Sequence, residues 1–180
     1  MKDYLIGITR AYPLITILSS FIGFFLTNKD DLLFLGTALI INDRLNGVFK
    51  NYLFKPILGN KNNKLLGLGK RPNGAKNCGY FINSNSKPST TYGMPSGHSQ
   101  STLFFSTYVI LNLLDNNFSN NVKIIGILLF TLISLGIMYS RIYFNCHTIQ
   151  QVIIGGIIGI ILGYLYYQNE EKIKNILYNL

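Results

Sequence analysis

Apolar residues gather in five long stretches, separated by short polar turns and one long polar loop. A membrane-crossing helix needs roughly 20 mostly apolar residues, because hydrocarbon offers no partner to an open backbone. The pattern predicts crossings from about Tyr12 to Thr27 (with a start as early as Tyr4), from Leu32 towards Phe54, from Ser99 to Leu114, from Ile124 to Tyr143 and from Thr148 to Tyr167. The fourth and fifth are the clearest. The second is interrupted by Asn42, Asp43, Arg44 and Asn46, which such a helix tolerates when they face the bundle interior or lie near the interface. In the fifth, Gly155, Gly156, Gly159 and Gly163 recur at three- and four-residue steps, a spacing suited to close helix packing. The expected fold is all-α: a multi-pass transmembrane bundle of about five helices, forming a single domain over residues 1–180.

Between the second and third stretches lies a polar loop, about 55–97, holding Lys55, Lys61, Lys64, Lys70, Arg71, Lys76 and Lys87. Its Gly, Asn, Ser and Pro content predicts irregular surface structure, and a loop of this length in a compact domain is usually functional or disordered. Five crossings put the amino terminus, this loop and the Arg141–His147 turn at one face. The Asn28–Asp31 turn, the Asp115–Asn121 turn and the carboxyl terminus fall at the other. The first apolar run ends in Asn-Lys-Asp-Asp, not in small residues fit for cleavage, and is expected to stay as an anchor. The asparagine-rich stretches, Asn60 to Asn63 and Asn116 to Asn121, read as compositional bias.

Composition narrows the class. With 13% charged and 48% apolar residues, the chain is a poor fit to a soluble single domain. Sixteen Lys and Arg against seven Asp and Glu leave a net charge of +9, which favours phosphorylated ligands or an anionic bilayer surface. No recognition motif supports nucleic acid. Cys78 and Cys146 are too few for a disulfide framework or a zinc site, and are expected as small buried side chains.

Three clusters carry chemistry. In the first, Lys64 is followed by six residues and then Arg71-Pro72; lysine supplies a compact charge and arginine a planar fork matched to phosphate oxygens. Lys50, at the end of the second crossing, competes with Lys64 for the lysine's place. In the second, Pro95-Ser96-Gly97-His98 opens the third crossing. Ser96 suits a helix N-cap, Gly97 admits an anion to the free first-turn amides, and His98 lies beside that anion as a proton donor. In the third, Ser140-Arg141 closes the fourth crossing and His147 precedes the fifth. Gln151, one helical turn on, can accept the Nδ1 proton of His147 and leave Nε2 free to attack phosphorus. Taken singly, a capped helix, an interfacial histidine or a lysine-rich loop is unremarkable. The two histidines are the chain's only ones, and both sit in phosphate-type clusters.

Together the clusters resemble the signature of the type-2 phosphatidic acid phosphatase superfamily: a lysine, six residues and Arg-Pro; Pro-Ser-Gly-His; and Ser-Arg, five residues, His. The run His147-Thr148-Ile149-Gln150-Gln151-Val152 is similar to the dolichyl diphosphatase branch. The resemblance implies an all-helical bundle, shared with vanadium haloperoxidases, that works without a metal or other cofactor. It implies His147 as the nucleophile forming a phosphohistidine and His98 as acid for the leaving group. Arg71, Arg141, Ser96, Gly97 and the lysine, Lys50 or Lys64, would hold the phosphoryl oxygens. Two positions depart from the pattern. Gln151 stands where aspartate is usual, and the family lysine ends the helix leading to Arg-Pro, a place that matches Lys50 better than Lys64.

The expectation is therefore a membrane phosphatase acting on a polyprenyl (dolichyl-type) diphosphate or related lipid phosphate. The alternatives are a phosphotransferase using the same histidine and a non-catalytic lipid-binding relative. The motif face carries twelve Lys and Arg against two acids, Asp3 and Asp43, and the other face four against five. The positive-inside tendency would make the motif face cytoplasmic. The resemblance implies a luminal or extracytoplasmic site instead, and that is the orientation expected here.

Overall fold

The computed structural model of the chain describes residues 2–76, 78–81 and 88–179; Lys87 of the polar loop lies outside them. Five long helices among the described residues form one up-and-down bundle: α1 (Lys2–Thr27), α2 (Asp30–Val48), α4 (Gly97–Asp115), α5 (Asn120–Tyr143) and α6 (Ile149–Tyr178). A π-helical turn, Phe49–Phe54, and the short α3, Lys55–Leu58, prolong α2. The wide turn directly precedes Pro56, whose missing N–H and bulky ring interrupt an α-helical ladder. Two residues, Asn28 and Lys29, suffice to reverse α1 into α2, with Asn28 at φ 53°. Asparagine accepts that left-handed backbone more readily than most residues.

Four of the predicted crossings are helices long and apolar enough to span a membrane: Ile6–Thr27, Asp30–Leu58, Asn120–Tyr143 and Ile149–Tyr178. The third, α4, is a helix of 19 residues but is not apolar enough to join them. The reason is its place in the bundle. Helix α4 packs against α1, α2, α5 and α6, and buries Ser99, Gln100, Ser101, Thr102 and Ser106 among them. The buried part of such a helix, shielded from lipid, has no need of an apolar surface.

Within lipid, apolar area gives helices little reason to associate, so close packing and hydrogen bonds take over. Both are present around α4. Gly155, Gly159 and Gly163 of α6 lie against the backbone of Ser96, Gln100 and Phe104, in matching steps of four; a Cβ at any of the three would meet a main-chain oxygen. On the other flank, α2 and α4 share a polar ladder. Gln100 Nε2 donates to Asn42 Oδ1 at 2.9 Å, Asn46 Nδ2 to Gln100 Oε1 at 2.8 Å, and Asn42 Nδ2 to Ser101 Oγ at 3.2 Å. Asn42 and Asn46, interruptions in the second apolar run, are thus buried against α4. Leu35, Leu39, Phe104 and Tyr108 form the apolar core nearer the other end.

Helix α6 runs well past the predicted end at Tyr167. Glu170 and Lys174, which end its apolar run, are buried: Tyr108 Oη donates to Glu170 at 3.0 Å, and Lys174 pairs with Asp31 and, at 2.9 Å, with Glu171. These contacts tie the end of α6 to α2 and α4.

The polar loop is largely irregular, with a small hairpin of β1 (Asn62–Asn63) and β2 (Gly67–Leu68). One sequence expectation is corrected here. Cys78 and Cys146 are buried, but they are not two independent small side chains: they form a disulfide that joins the loop to the α5–α6 turn across 68 residues of sequence. Count and spacing carried no sign of this, because nothing in the sequence shows that the loop folds back over that turn.

Candidate active site

The four loop and helix ends nominated by the sequence converge at one end of the bundle, around a cavity of about 140 Å³. His98, His147, Lys50, Arg71 and Gly97 all line it, with Asp43, Asn46, Cys78 and Tyr80. The two imidazoles therefore face a common space, one in the first turn of α4 and the other just ahead of α6.

His147 is held from both sides. Its Nδ1 is 3.0 Å from Gln151 Oε1, while the Gln151 amide nitrogen donates to the carbonyls of Leu68 and Lys70, each at 2.7 Å. Two carbonyl neighbours fix which end of the amide is the NH₂, and so turn the oxygen towards the imidazole. His147 must then carry its proton on Nδ1, leaving the Nε2 lone pair to Arg71 Nη1 at 3.1 Å. Thr148 caps α6 and Gln151 closes the capping box, so helix start and ring orientation are set together. Gly93 leaves room for the arrangement, since a Cβ there would meet the Gln151 amide. Burial, followed by the charges of Arg71, Lys50 and Arg141, pushes the His147 imidazole well below its ordinary pKa, against the bond to Gln151. The ring is neutral near pH 7.

His98 uses its Nε2 on the main-chain oxygen of Arg10, at 2.8 Å. A carbonyl only accepts, so Nε2 holds the proton and Nδ1 is the nitrogen left for chemistry. Tyr80 packs tilted against the His98 ring, centroids 5.6 Å apart, and donates its hydroxyl to Asp43 at 2.6 Å. Burial and that bond raise the phenol's pKa.

The cationic groups divide into two tiers. Lys50 and Arg71 reach the cavity wall, and burial lowers the Arg71 guanidinium to about 10. Arg71 is braced by Thr91, through Nε and Nη2, and by the Cys146 carbonyl at 3.0 Å from Nη1. Arg141 lies behind the wall, fully buried; its Nη2 donates to the Cys78 carbonyl at 2.9 Å, while Nε and Nη1 have no partner among the described residues. Ser96 is also behind it, and its hydroxyl caps α4 by accepting from Ser99. Lys64 is not brought to the cavity. It sits exposed in the turn of the small hairpin, so of the two candidate lysines Lys50 is the one at the site. The spacing to Arg-Pro that nominated Lys64 is a property of the sequence alone. Among the described residues no group of three or more His, Cys, Asp and Glu side chains could hold a metal ion.

A family model described as the PAP2 superfamily matches residues 31–174, from the start of α2 to the far end of α6. The chain belongs to the PAP2 superfamily. Its relatives fall in the dolichyldiphosphatase branch. Dolichyldiphosphatase 1 of Homo sapiens is 31% identical over 148 residues, 78% of this chain and 52% of that protein. Dolichyldiphosphatase 1 of Dictyostelium discoideum is 39% identical over 86 residues, 46% of this chain and 38% of that protein. Dolichyldiphosphatase of Saccharomyces cerevisiae is 38% identical over 80 residues, 42% and 33% respectively. The chain thus spans between a third and about half the length of these relatives. No solved structure matches it.

Of the signature residues of this PAP2 protein, Arg71, Gly97, His98 and His147 line the cavity, and it also holds groups the signature does not name. Asp43 and Asn46 were visible only as polar breaks in an apolar run. Tyr80 gave no signal. Arg10 of α1 lies outside the matched residues. It is buried, its guanidinium is 5.5 Å from the Phe144 ring, and its Nε and Nη1 have no partner among the described residues. An arginine inside an apolar stretch was its only sequence signal.

Proposed function

We propose that this chain is a membrane lipid phosphatase that cleaves a polyprenyl (dolichyl-type) diphosphate or related lipid phosphate through a phosphohistidine at His147. The observation that carries the reading is the shared cavity. It brings an Nε2 lone pair, a second imidazole and the cations Lys50 and Arg71 to one phosphate-sized space. In the proposed sequence a phosphoryl group enters, and Arg71 leaves Nε2 for one of its oxygens. Lys50, the Gly97 amide and Arg141 offset the remaining charge. Nε2 attacks phosphorus, the bond from phosphorus to the bridging oxygen breaks, and the lipid product leaves. His98, whose Nε2–H is held by the Arg10 carbonyl, has no proton for the leaving oxygen at Nδ1 and acts there on the attacking water, taking its proton. Water releases phosphate and restores the ring.

The tautomer of His98 favours a diphosphate. A neutral ring with its proton on Nε2 has none to give at Nδ1, and an alkoxide leaving group needs one. A phosphate monoester, with a pKa of about 6, leaves without it. The dolichyldiphosphatase relatives support the same substrate class. The test is phosphate release by the purified full chain in detergent, from a polyprenyl diphosphate, phosphatidic acid and a sphingoid phosphate. The diphosphate should be the best substrate, and His147→Ala should lose at least a thousandfold, as loss of a covalent nucleophile does in other enzymes. Equal release by wild type and His147→Ala sinks the mechanism. Adding an alcohol acceptor separates hydrolysis from phosphotransfer.

For orientation we place the site on the luminal or extracytoplasmic side. The disulfide at the site supports this, since disulfides persist in oxidising compartments. Asn117-Phe118-Ser119, at the opposite end of the bundle, is a glycosylation sequon. A glycan found there in a eukaryotic membrane reverses the assignment.

A further inference from the structure

The chemistry proposed above makes no use of Cys78 and Cys146, yet the disulfide lies inside the site. Cys78 lines the cavity, and Cys146 immediately precedes His147. Each half-cystine offers its main-chain carbonyl to one arginine: Cys78 to Arg141 Nη2 at 2.9 Å, and Cys146 to Arg71 Nη1 at 3.0 Å. The bond sets the two acceptors on a fixed base, with their Cα atoms 5.5 Å apart.

Two guanidinium groups, one in the cavity wall and one behind it, repel each other, and each is drawn towards water. Without anchors they would scatter over many rotamers in the empty site. Neutral carbonyls at fixed points counter this without neutralising the charge a phosphate needs. Cys146 is placed by the end of α5, since its amide donates to the Arg141 carbonyl at 2.9 Å. Cys78, in the polar loop, has no backbone hydrogen bond of this kind among the described residues. Its position follows from its bond to Cys146 and from the small cluster of Ala75, Phe144 and the two cysteines.

We infer that the Cys78–Cys146 disulfide is a positioning element of the phosphate site, which holds Arg71 and Arg141 in register through the carbonyls of its two residues. This rests on the phosphatase reading above for its kinetic test, and on anion binding alone for its second test.

The experiment compares three forms of the purified full chain in detergent: wild type, wild type reduced with a phosphine, and the double variant Cys78→Ser/Cys146→Ser. Reduction converts the S–S bond to two thiols, the phosphine giving two electrons and water giving two protons and the oxygen of the phosphine oxide. Maleimide mass labelling confirms that it has occurred. KM for a polyprenyl diphosphate should rise roughly tenfold in both altered forms, the loss of one charge-assisted hydrogen bond, and orthovanadate should inhibit less well by a similar factor. Reoxidation should restore the wild type, and the phosphine should leave the double variant unchanged.

A disulfide that serves stability alone lowers the folded fraction and Vmax but leaves KM and vanadate inhibition where they were; that result overturns the inference. Should the double variant not fold, reduction of the already folded wild type gives the same comparison. Should the wild type release no phosphate from any lipid, the phosphatase reading fails, and thermal stabilisation by inorganic phosphate takes over as the measure. Stabilisation that weakens on reduction upholds the positioning role, and stabilisation that does not change rejects it.

Discussion

Gln151 stands where an acid is usual in the superfamily, and its surroundings explain what an acid would meet there. Its NH₂ group is spent on the carbonyls of Leu68 and Lys70. Gln151→Glu keeps the shape but points a carboxylate oxygen at two carbonyl oxygens, exchanging two hydrogen bonds for repulsion. We expect the variant to lose about 2–4 kcal/mol of stability and at least roughly tenfold in phosphate release, although it brings the side chain chemically closer to the family norm. Melting curves and steady-state kinetics check both. His147 gives a second prediction at this scale. Burial and three nearby cations hold its pKa well below 6.5, so in the empty enzyme it stays neutral as pH falls through 6.5. The acid limb of kcat/KM, which reports the free enzyme, should therefore lie below that point. Histidine NMR of the unliganded protein should show the His147 ring unprotonated at pH 6. The signature histidines and arginines could be nominated directly from the sequence because their types and spacings suit phosphate chemistry. The choice between Lys50 and Lys64 could not be made there, since it depends on the path of the loop through space.

At the scale of elements, the register of α4 on α6 rests on glycines whose missing Cβ atoms admit a main-chain oxygen. Gly159→Ala drives a methyl into the Gln100 carbonyl and should cost about 1–3 kcal/mol by overpacking. Because α4 and α6 carry His98 and Gln151 at their first turns, the same change should also reduce phosphate release. Gly136 in α5 is the control. No atom lies near its Cβ position, so Gly136→Ala should be neutral or stabilising by up to about 1 kcal/mol, from helix propensity alone. Thermal denaturation of the two variants in one detergent makes the comparison. Apolar runs announced four helices plainly, and the glycine spacing announced their packing. The end of α6 was hidden because Glu170 and Lys174 look like solvent-exposed charges until their partners Asp31 and Tyr108 are seen. The polar breaks at Asn42 and Asn46 looked like defects in a crossing and are its contacts with α4.

Over the whole molecule, charge and burial work against each other at the motif end. Arg10 and Arg141 are buried with Nε and Nη1 unpartnered among the described residues, donors that an anion can satisfy. Inorganic phosphate should stabilise the wild type, by about 2.7 kcal/mol at a concentration a hundredfold above Kd. Arg10→Met keeps the carbonyl that orients His98 and removes the buried charge. It should raise the melting temperature without phosphate and shrink the increment that phosphate adds. A melting temperature that falls in both conditions would show the guanidinium to be an ordinary structural group.

Helix α4 also bears on how the molecule is made. Nineteen residues at 1.5 Å each span roughly the hydrocarbon thickness, yet the first turns, His98 to Thr102, are all polar and the apolar residues begin only at Leu103. Offered to a bilayer by itself, such a segment has little to hold it there, because every Ser and Gln would have to shed water for no partner. Its retention depends on neighbours that arrive both before it, α1 and α2, and after it, α5 and α6. For this one segment, entering the membrane and finding its tertiary place are the same event. A ribosome-bound chain ending before α5 should accordingly leave α4 accessible to water-soluble labels, and extension through α6 should close it off.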